Sequence, residues 1–284
     1  MTIAATTAAA LPSTGSPRCG PSPRRSTLAD VDALIRRLRA AGCVFAEDEA
    51  RLLVDAAPSP EALESMVTRR VGGEPLEHVL GWVAFAGLRL MVAPGVFVPR
   101  RRTELLADVA ATHLRGADEP VLVELCCGVG AVSAAVLAAL PRVLVHASDL
   151  DPAAVACARA NLPLSAEVAV GDLDGAVPGG LHGRVDVLVA NTPYVPSREV
   201  ATMPREARDH EPLLALDGGA DGLALARRVV AVTGRWLRPG GIVAIETSIA
   251  QAPVLAAAMA AAGLTAAVRS DFDRDATAVV GTAP

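Results

Sequence analysis

Residues 185–196 read VDVLVANTPYVP, and this stretch decides the fold class of the chain. Its first six residues are apolar apart from Asp186, a pattern typical of a strand buried on both faces of a parallel sheet. Pro193 ends such a strand, because proline lacks the N–H that a sheet ladder needs and makes the preceding backbone extended. Asn191 and Tyr194 are therefore expected at the carboxyl end of a strand, the edge at which open α/β sheets bind ligands. An ordinary strand exit with a surface tyrosine would read the same, so the rest of the chain must decide.

From Val121 onwards, segments typical of strands and of helices alternate, which predicts an α/β fold with a mostly parallel, doubly wound sheet. The predicted strands are 121–125, 143–148, 167–170, 185–190 and 241–246, followed by an antiparallel pair, 266–269 and 276–281. The predicted helices are 131–140, 152–161, 222–237 and 251–262.

The chain before this region divides into three segments. Residues 1–25 are rich in Ala, Thr, Ser and Pro and lack acidic residues, which predicts a disordered extension, although an organelle transit peptide would share this composition. Residues 26–73 predict a small helical domain, in which Ser26 or Thr27 caps the first helix and Ser59 caps the third. Residues 74–99 predict a β-hairpin linker, and residues 100–284 form the large domain, with Thr103 placed to cap its first helix.

Composition excludes several classes of function. The 284-residue chain has a formal net charge of −5, so nothing general attracts it to nucleic-acid phosphates or anionic lipid. Every basic residue is arginine, which excludes the lysine chemistry of Schiff bases and Walker phosphate loops. The five cysteines have neither CxxC nor zinc spacing, and no secretory signal or uninterrupted apolar span is evident. We therefore expect a cytoplasmic protein with reduced thiols and no metal site.

Three constellations at predicted strand ends indicate a nucleoside cofactor. Residues 124–130, ELCCGVG, take a strand through a glycine-bearing turn into a helix, so that backbone N–H groups face a ligand. Asp149 follows the next strand about 20 residues later, where a carboxylate can accept from both ribose hydroxyls. Asp172 follows the third strand and can accept from an exocyclic adenine amine. Each motif alone also fits a packing turn or a helix cap, and their serial placement favours the cofactor site.

Together with Asn191-Thr192-Pro193-Tyr194, these motifs resemble the class I S-adenosylmethionine-dependent methyltransferases. Within them the chain is similar to the HemK/PrmC group, which methylates the side-chain amide of glutamine in peptide chain release factors. The resemblance covers about residues 73–251 and includes GEPLEHVLG at 73–81, DGGADGL at 217–223 and LRPGG at 237–241. It implies a Rossmann-like class I methyltransferase fold with a small N-terminal helical domain that helps to hold the protein substrate.

The chain also departs from that family's pattern. It has NTPY in place of NPPY, Arg101-Arg102 where the family usually has proline and an acidic residue, and Cys126-Cys127 in a normally glycine-rich loop. These departures predict a divergent member with the usual fold and cofactor.

The resemblance implies S-adenosylmethionine as cofactor and a release factor as protein substrate, with no membrane or direct nucleic-acid partner. The Asn191 side-chain oxygen and the Thr192 backbone carbonyl are expected to hold the substrate NH₂ group, with Tyr194 stacked on the amide plane. The predicted catalytic residues are Asn191, Thr192, Pro193 and Tyr194, and the predicted cofactor-binding residues are Glu124, Cys126, Gly128, Gly130, Asp149, Leu150, Asp172, Leu173 and Asn191.

Two alternatives remain open from the sequence. The same loop can grip an exocyclic adenine amine of DNA or RNA, although the net charge of −5 and the lack of a basic, aromatic-interleaved domain argue against it. A cofactor-binding interaction protein without catalysis would also fit the altered NTPY motif and Cys126.

Overall fold

The computed structural model describes residues 28–284, so the predicted extension 1–25 and the Ser26 or Thr27 cap lie outside the described residues. The first four helices are α1 (Leu28–Ala40), α2 (Ala46–Ala56), α3 (Pro60–Val71) and α4 (Leu76–Leu80). They pack around one apolar cluster that includes Leu38, Leu53, Val67 and Val79. The Ser59 side chain accepts a hydrogen bond from the Ala62 N–H, so the predicted cap of α3 is confirmed.

The predicted hairpin follows as β1 (Trp82–Phe85) and β2 (Leu88–Met91), which pair antiparallel. Its turn is Ala86-Gly87, and both residues have positive φ. A short 3₁₀ helix, Arg101–Thr103, leads into α5 (Glu104–Leu114). The prediction that Thr103 caps this helix is wrong, because its backbone is helical and its side chain makes no capping hydrogen bond. The Thr103 hydroxyl is buried and serves the site described below.

The remaining chain forms a mixed seven-stranded sheet in the order β5-β4-β3-β6-β7-β9-β8. All pairs are parallel except those that β9 makes with β7 and β8, so the predicted doubly wound α/β fold and its final antiparallel pair are confirmed. The strands are β3 (Val121–Leu125), β4 (Leu144–Asp149), β5 (Glu167–Val170), β6 (Val185–Ala190), β7 (Leu237–Glu246), β8 (Thr265–Asp271) and β9 (Ala276–Thr282). The helices are α6 (Ala131–Ala139), α7 (Pro152–Asn161), α8 (Arg205–His210), α9 (Leu213–Leu216), α10 (Ala224–Trp236) and α11 (Ala252–Ala261).

The central strands of the sheet are buried because helices cover both of its faces. Every residue of β3 and β6 is buried, as their continuous apolar sequences require. One apolar cluster packs α10 and α11 against one face, and a second packs α5 and α6 against the other. Asp186 interrupts the apolar run of β6, and its carboxylate accepts from the Val121 N–H at 2.8 Å, which satisfies the buried charge together with Arg238.

The sheet order sets the position of the site. The parallel strands β3 to β6 end at one edge. Asp149 is the last residue of β4, and the segments that follow β3, β5 and β6 carry Cys126, Asp172 and Asn191. No helix within residues 28–284 is long and apolar enough to span a bilayer. Within the same residues, no group of three or more His, Cys, Asp or Glu side chains is placed to hold a metal ion.

Candidate active site

A cavity of about 600 Å³ opens at the carboxyl edge of the parallel strands, a volume in the usual range for small-molecule sites. Most of the predicted site residues line it. They are Cys126, Gly128, Asp149, Leu150, Asp172, Leu173, Asn191, Thr192, Pro193 and Tyr194. Glu124 and Gly130 are not among the lining residues. We call the part around Asp149 and Asp172 the cofactor end, and the part around residues 191–194 the acceptor end.

Asp149 organises the cofactor end. One of its carboxylate oxygens accepts from the Gly128 N–H at 2.8 Å and the other from the Asp151 N–H at 2.9 Å. Burial raises the pKa of Asp149, and these backbone N–H groups oppose that rise. Each oxygen keeps a further lone pair, so the carboxylate can still accept from two ligand hydroxyls.

Gly128 and Gly130 give the turn after β3 its shape, since both have positive φ. A Cβ on Gly128 would meet nothing within 4 Å, which leaves room there for a ligand. A Cβ on Gly130 would come within 3.0 Å of Leu162, so this glycine allows the turn to pack closely against the end of α7. Gly130 thus shapes the turn from behind the cavity.

Glu124 lies behind the same turn. It is 4 % exposed and accepts from the backbone N–H of Ser133 at 2.8 Å and from the Ser133 hydroxyl, which ties β3 to the first turn of α6. Burial raises the pKa of Glu124 to about 7. In this structure Glu124 supports the turn, and its predicted contact with the cofactor stays a prediction.

Asp172 follows β5 and forms a two-point ion pair with Arg228 of α10, with distances of 3.0 and 2.9 Å. Both side chains are more than half exposed, so the pair contributes little stability and can exchange for a ligand. Its neighbour Gly171 is required by close packing, because a Cβ there would lie 2.5 Å from the Ala176 Cβ. This contact fixes the loop that carries Asp172 and Leu173.

Cys126 lines the cofactor end with a left-handed backbone, φ 54°. Burial raises the pKa of its thiol far above the usual range, and the nearby Asp149 and Asp172 charges raise it further. The side chain is therefore a neutral thiol that fills space and is not a nucleophile.

Asn191 is fixed at the acceptor end by Thr103. Its Nδ2 donates to the Thr103 hydroxyl at 3.1 Å, which orients the amide and leaves Oδ1 as an acceptor for a ligand. The backbone carbonyl of Thr192 accepts no hydrogen bond from the part of the chain that the structure describes. Asn191 and Thr192 both line this end of the cavity, and together they carry two oxygen acceptors that could hold the two N–H bonds of an NH₂ group.

Tyr194 is held through its hydroxyl. This group donates to Oε1 of Glu246 at 3.3 Å, and Glu246 lies at the end of β7 with 3 % exposure. Burial raises the pKa of Tyr194 to about 12, and the nearby Glu246 charge adds to the rise. Burial likewise raises the pKa of Glu246. The tyrosine is therefore uncharged near neutral pH, and its ring is held as a neutral wall of the acceptor end.

The loop of residues 217–223 and the side chain of Gln251 support residues 193–196 from behind, and sequence reasoning did not assign either of them to the site. Gln251 donates to the carbonyl of Tyr194 at 2.9 Å, and the Gly218 N–H donates to the carbonyl of Val195 at 2.8 Å. A Cβ on Gly218 would lie 2.6 Å from the Pro193 carbonyl, and one on Gly222 would lie 2.2 Å from the Tyr194 carbonyl. The glycines of the DGGADGL segment therefore allow a close backbone approach, and their density in the sequence was the available signal.

The structure adds further residues to the acceptor end. Arg100, Arg102 and Glu211 line it, and Thr103 anchors Asn191 from outside the lining. The three consecutive arginines, Arg100 to Arg102, were visible in the sequence. That the first and third line the cavity while Arg101 is exposed depends on the 3₁₀ turn that begins at Arg101. Glu211 comes from a segment 111 positions from Arg100 in the sequence, so its contact with this arginine required the structure.

Comparison with known proteins places the chain in a family. A family model described as "Methyltransferase small domain" matches residues 87–209. The release factor glutamine methyltransferase of Streptomyces coelicolor is 44% identical over 64% of this chain and 65% of its own length. That of Mycolicibacterium smegmatis is 42% identical over 70% of this chain and 72% of its own length. This chain belongs to the release factor glutamine methyltransferase family.

Two further comparisons extend this result. A Streptomyces pristinaespiralis protein named 4-amino-L-phenylalanine/4-methylamino-L-phenylalanine methyltransferase is 36% identical over 67% of both chains. The crystal structure of a methyltransferase from Pyrococcus furiosus superposes with a TM-score of 0.50 at 19% identity, covering 69% of this chain and 89% of that one. The second comparison supports the class I methyltransferase fold of this family member, and the first shows that a relative at 36% identity carries a different substrate in its name.

Proposed function

We propose that this family member transfers a methyl group from S-adenosylmethionine to the side-chain amide nitrogen of a glutamine in a peptide chain release factor in the cytoplasm. The observation that carries this proposal is that Asn191, oriented by Thr103, and Thr192 line the same cavity as Asp149 and Asp172. The Asn191 Oδ1 and the Thr192 carbonyl are the two acceptors that these residues offer to an NH₂ group. The names of the relatives support the choice of substrate.

The cofactor end fits S-adenosylmethionine. The Asp149 carboxylate can accept from the ribose hydroxyls, Asp172 can accept from the adenine amine once Arg228 shifts, and the open side of Gly128 leaves room for the ligand. When bound, the cofactor supplies an electrophilic methyl group on a sulfonium. The protein's own contribution is to place the acceptor nitrogen in line with that group, which is worth up to about 7–11 kcal/mol for an ideal arrangement.

The acceptor end addresses the poor nucleophilicity of an amide. The nitrogen lone pair is delocalised into the carbonyl, and two acceptors aimed at the two N–H bonds favour the pyramidal, more positive nitrogen of the transition state. Thr103 keeps the Asn191 amide in the required orientation, and the loop at Gly218 holds residues 193–196 in place. A nitrogen that has gained a methyl group is acidic enough to lose its proton to water, so no tuned base is required.

Replacing Asn191 tests this function. We expect Asn191→Ala to reduce methyl transfer by about a hundredfold to a thousandfold, because one of the two transition-state acceptors is lost. Binding of S-adenosylhomocysteine, measured by calorimetry, should be retained. The measurement is mass spectrometry of the release-factor glutamine after incubation with the purified protein and the cofactor.

The same assay separates the alternatives. If a nucleic acid is methylated and the release factor is not, the protein is an adenine-amine methyltransferase. If the protein binds the cofactor and methylates neither substrate, it is a non-catalytic cofactor-binding protein. Equal activity of the wild-type protein and Asn191→Ala would contradict the role of the two acceptors.

A second candidate substrate is the amine of a free amino acid. The specific observation in its favour is the pair of arginines at the acceptor end, together with the amino-acid substrate in the name of the Streptomyces pristinaespiralis relative. The aryl amine named for that relative is a neutral NH₂ group with the same two N–H bonds to hold, so the Asn191 test applies to it as well.

A further inference from the structure

The acceptor end contains two guanidinium groups. Arg100 and Arg102 line the cavity, whereas Arg101, between them, is exposed outside it. Both lining arginines lie close enough to Tyr194 for their charges to act on its hydroxyl. Two guanidinium groups therefore lie near Tyr194, beside the residues proposed to hold the NH₂ group.

The charge of Arg100 is already compensated. Its Nη2 donates to Oε1 of Glu211 at 2.6 Å, and the Glu211 side chain is fully buried. Its guanidinium also lies over the Phe97 ring, 5.2 Å from the ring centroid. These contacts hold Arg100 in place while its remaining N–H groups stay available.

Arg102 is compensated much less well. Its one ion-pair contact with another described residue is 3.9 Å from Nε to Oε1 of Glu246, and it donates no hydrogen bond to any of them. That same Glu246 oxygen already accepts from Tyr194. The two carboxylates that line the cavity nearby are already paired, Glu211 with Arg100 and Glu206 with Arg70, each at 2.6 Å. Arg102 therefore lines the cavity with a 41 % exposed side chain whose N–H groups donate to no other described residue.

We propose that Arg102, supported by Arg100, binds a carboxylate of the acceptor substrate beside the nitrogen that is methylated. This inference rests on the proposed methyl transfer at Asn191 and names one chemical feature of the substrate. A guanidinium matches a carboxylate with two parallel N–H···O bonds, and such charge-assisted bonds are about twice as strong as neutral ones.

The carboxylate has two possible sources. It is either an acidic side chain next to the target glutamine in a protein, or the α-carboxylate of a free amino acid. Both present the same group to Arg102, so the experiment has one arm for each.

The first arm uses a synthetic peptide in which glutamate adjoins glutamine, with the glutamate side chain either free or methyl-esterified. The second arm uses 4-amino-L-phenylalanine, either free or as its α-methyl ester. Methyl incorporation from labelled S-adenosylmethionine gives kcat and KM for wild-type protein, Arg102→Gln and Arg101→Gln. Arg101→Gln is the matched control, because it removes the same charge one residue away and outside the cavity.

In the arm that contains the true acceptor, we expect esterification to lower kcat/KM by about tenfold, mainly by raising KM. This effect should be the same for the wild-type protein and for Arg101→Gln. For Arg102→Gln the free and esterified acceptors should react equally. A structural role of Arg102 would instead slow both forms of the acceptor by the same factor, and this result would overturn the proposal.

Binding measurements keep this inference separate from the proposed function. If only 4-amino-L-phenylalanine is methylated, the result contradicts the proposed glutamine methylation. It remains consistent with the binding of a carboxylate by Arg102. If neither arm reacts, calorimetry of each acceptor with the protein and S-adenosylhomocysteine takes the place of turnover. Equal affinity for free and esterified acceptors in both arms would refute the role of Arg102 whatever the reaction proves to be.

Discussion

Single side chains that no substrate touches set the chemistry of this site. The Thr103 hydroxyl fixes the amide of Asn191, and Ser133 holds Glu124 under the cofactor turn. Thr103 could not be assigned from the sequence, because a threonine before an apolar helix is a strong capping signal. The tertiary contact with a residue 88 positions away overrides that local preference.

Glu124 gives stability a distinct pH dependence. Its pKa is about 7 in the folded protein against an ordinary value of 4.5, so between these values the folded state holds the additional proton. The stabilisation that the protonated Glu124 gives to the folded protein is therefore fully present below pH 4.5 and is lost as the pH rises through about 7. The variant Glu124→Gln has no carboxyl group to titrate. We therefore expect the free energy of unfolding of the wild-type protein to fall, relative to that of the variant, by up to about 3 kcal/mol between pH 4.5 and about pH 7.

Urea unfolding at a series of pH values measures this difference. Glu119→Gln is the matched control, because Glu119 is exposed, and its curve should run parallel to that of the wild-type protein. Parallel curves for Glu124→Gln as well would show that the buried carboxyl does not titrate in this range.

At the scale of elements, the strands were largely predictable and the loops were not. Three strands match their predicted bounds, 121–125, 167–170 and 185–190. The first and third are buried parallel strands with continuous apolar runs, whereas 167–170 is a partly exposed strand at the edge of the sheet. Strand β7 instead begins at Leu237, four residues before its predicted start. The Arg-Pro-Gly-Gly sequence signals a turn locally, yet Leu237 pairs with Val185 across a register shift.

The loop behind Pro193 can be tested through Gly218. We expect Gly218→Ala to lower both methyl transfer and the melting temperature, because the added Cβ would overlap the Pro193 and Gly222 carbonyl oxygens, each 2.6 Å away. Overpacking of this kind typically costs about 1–3 kcal/mol. Cofactor affinity should change little, since the cofactor end lies on other loops. The assays are methyl incorporation, calorimetry and thermal unfolding.

Gly234→Ala is the control for that change. Gly234 lies within α10, and a Cβ there would meet nothing within 4 Å, so alanine should be neutral or stabilise the helix by about 0.5–1 kcal/mol. Similar behaviour of the two variants would mean that the close approach at Gly218 is not required.

Across the whole molecule, the helical domain is joined to the wall of the acceptor end by a buried arginine. Arg70 of α3 is 6 % exposed and donates to Glu49 of α2 and, at 2.6 Å, to Glu206 of α8. Glu206 lines the cavity. No sequence pattern could pair residues 136 positions apart, so this link required the structure.

Breaking this link should affect a protein acceptor more than the cofactor. We expect Glu206→Gln to raise KM for a release factor by about threefold to tenfold, while the cofactor dissociation constant stays unchanged, because α8 loses its tie to the helical domain. The effect is bounded because the Glu206 side chain is half exposed. Steady-state kinetics and calorimetry provide the two measurements.

Glu64→Gln serves as the comparison. It breaks the ion pair of Glu64 with Arg37, which joins α3 to α1 entirely within the helical domain. An equal rise in KM for both variants would attribute the effect to the stability of that domain rather than to its link with α8.

The undivided form of the cavity has a practical consequence. Residues from both ends, Asp149 and Asn191 among them, line one continuous space of about 600 Å³. A single small molecule that tethers an adenosine to a carboxamide would thus occupy both halves at once and gain the advantage of linked binding groups. Such a bisubstrate inhibitor would use the very closeness that the methylation reaction requires.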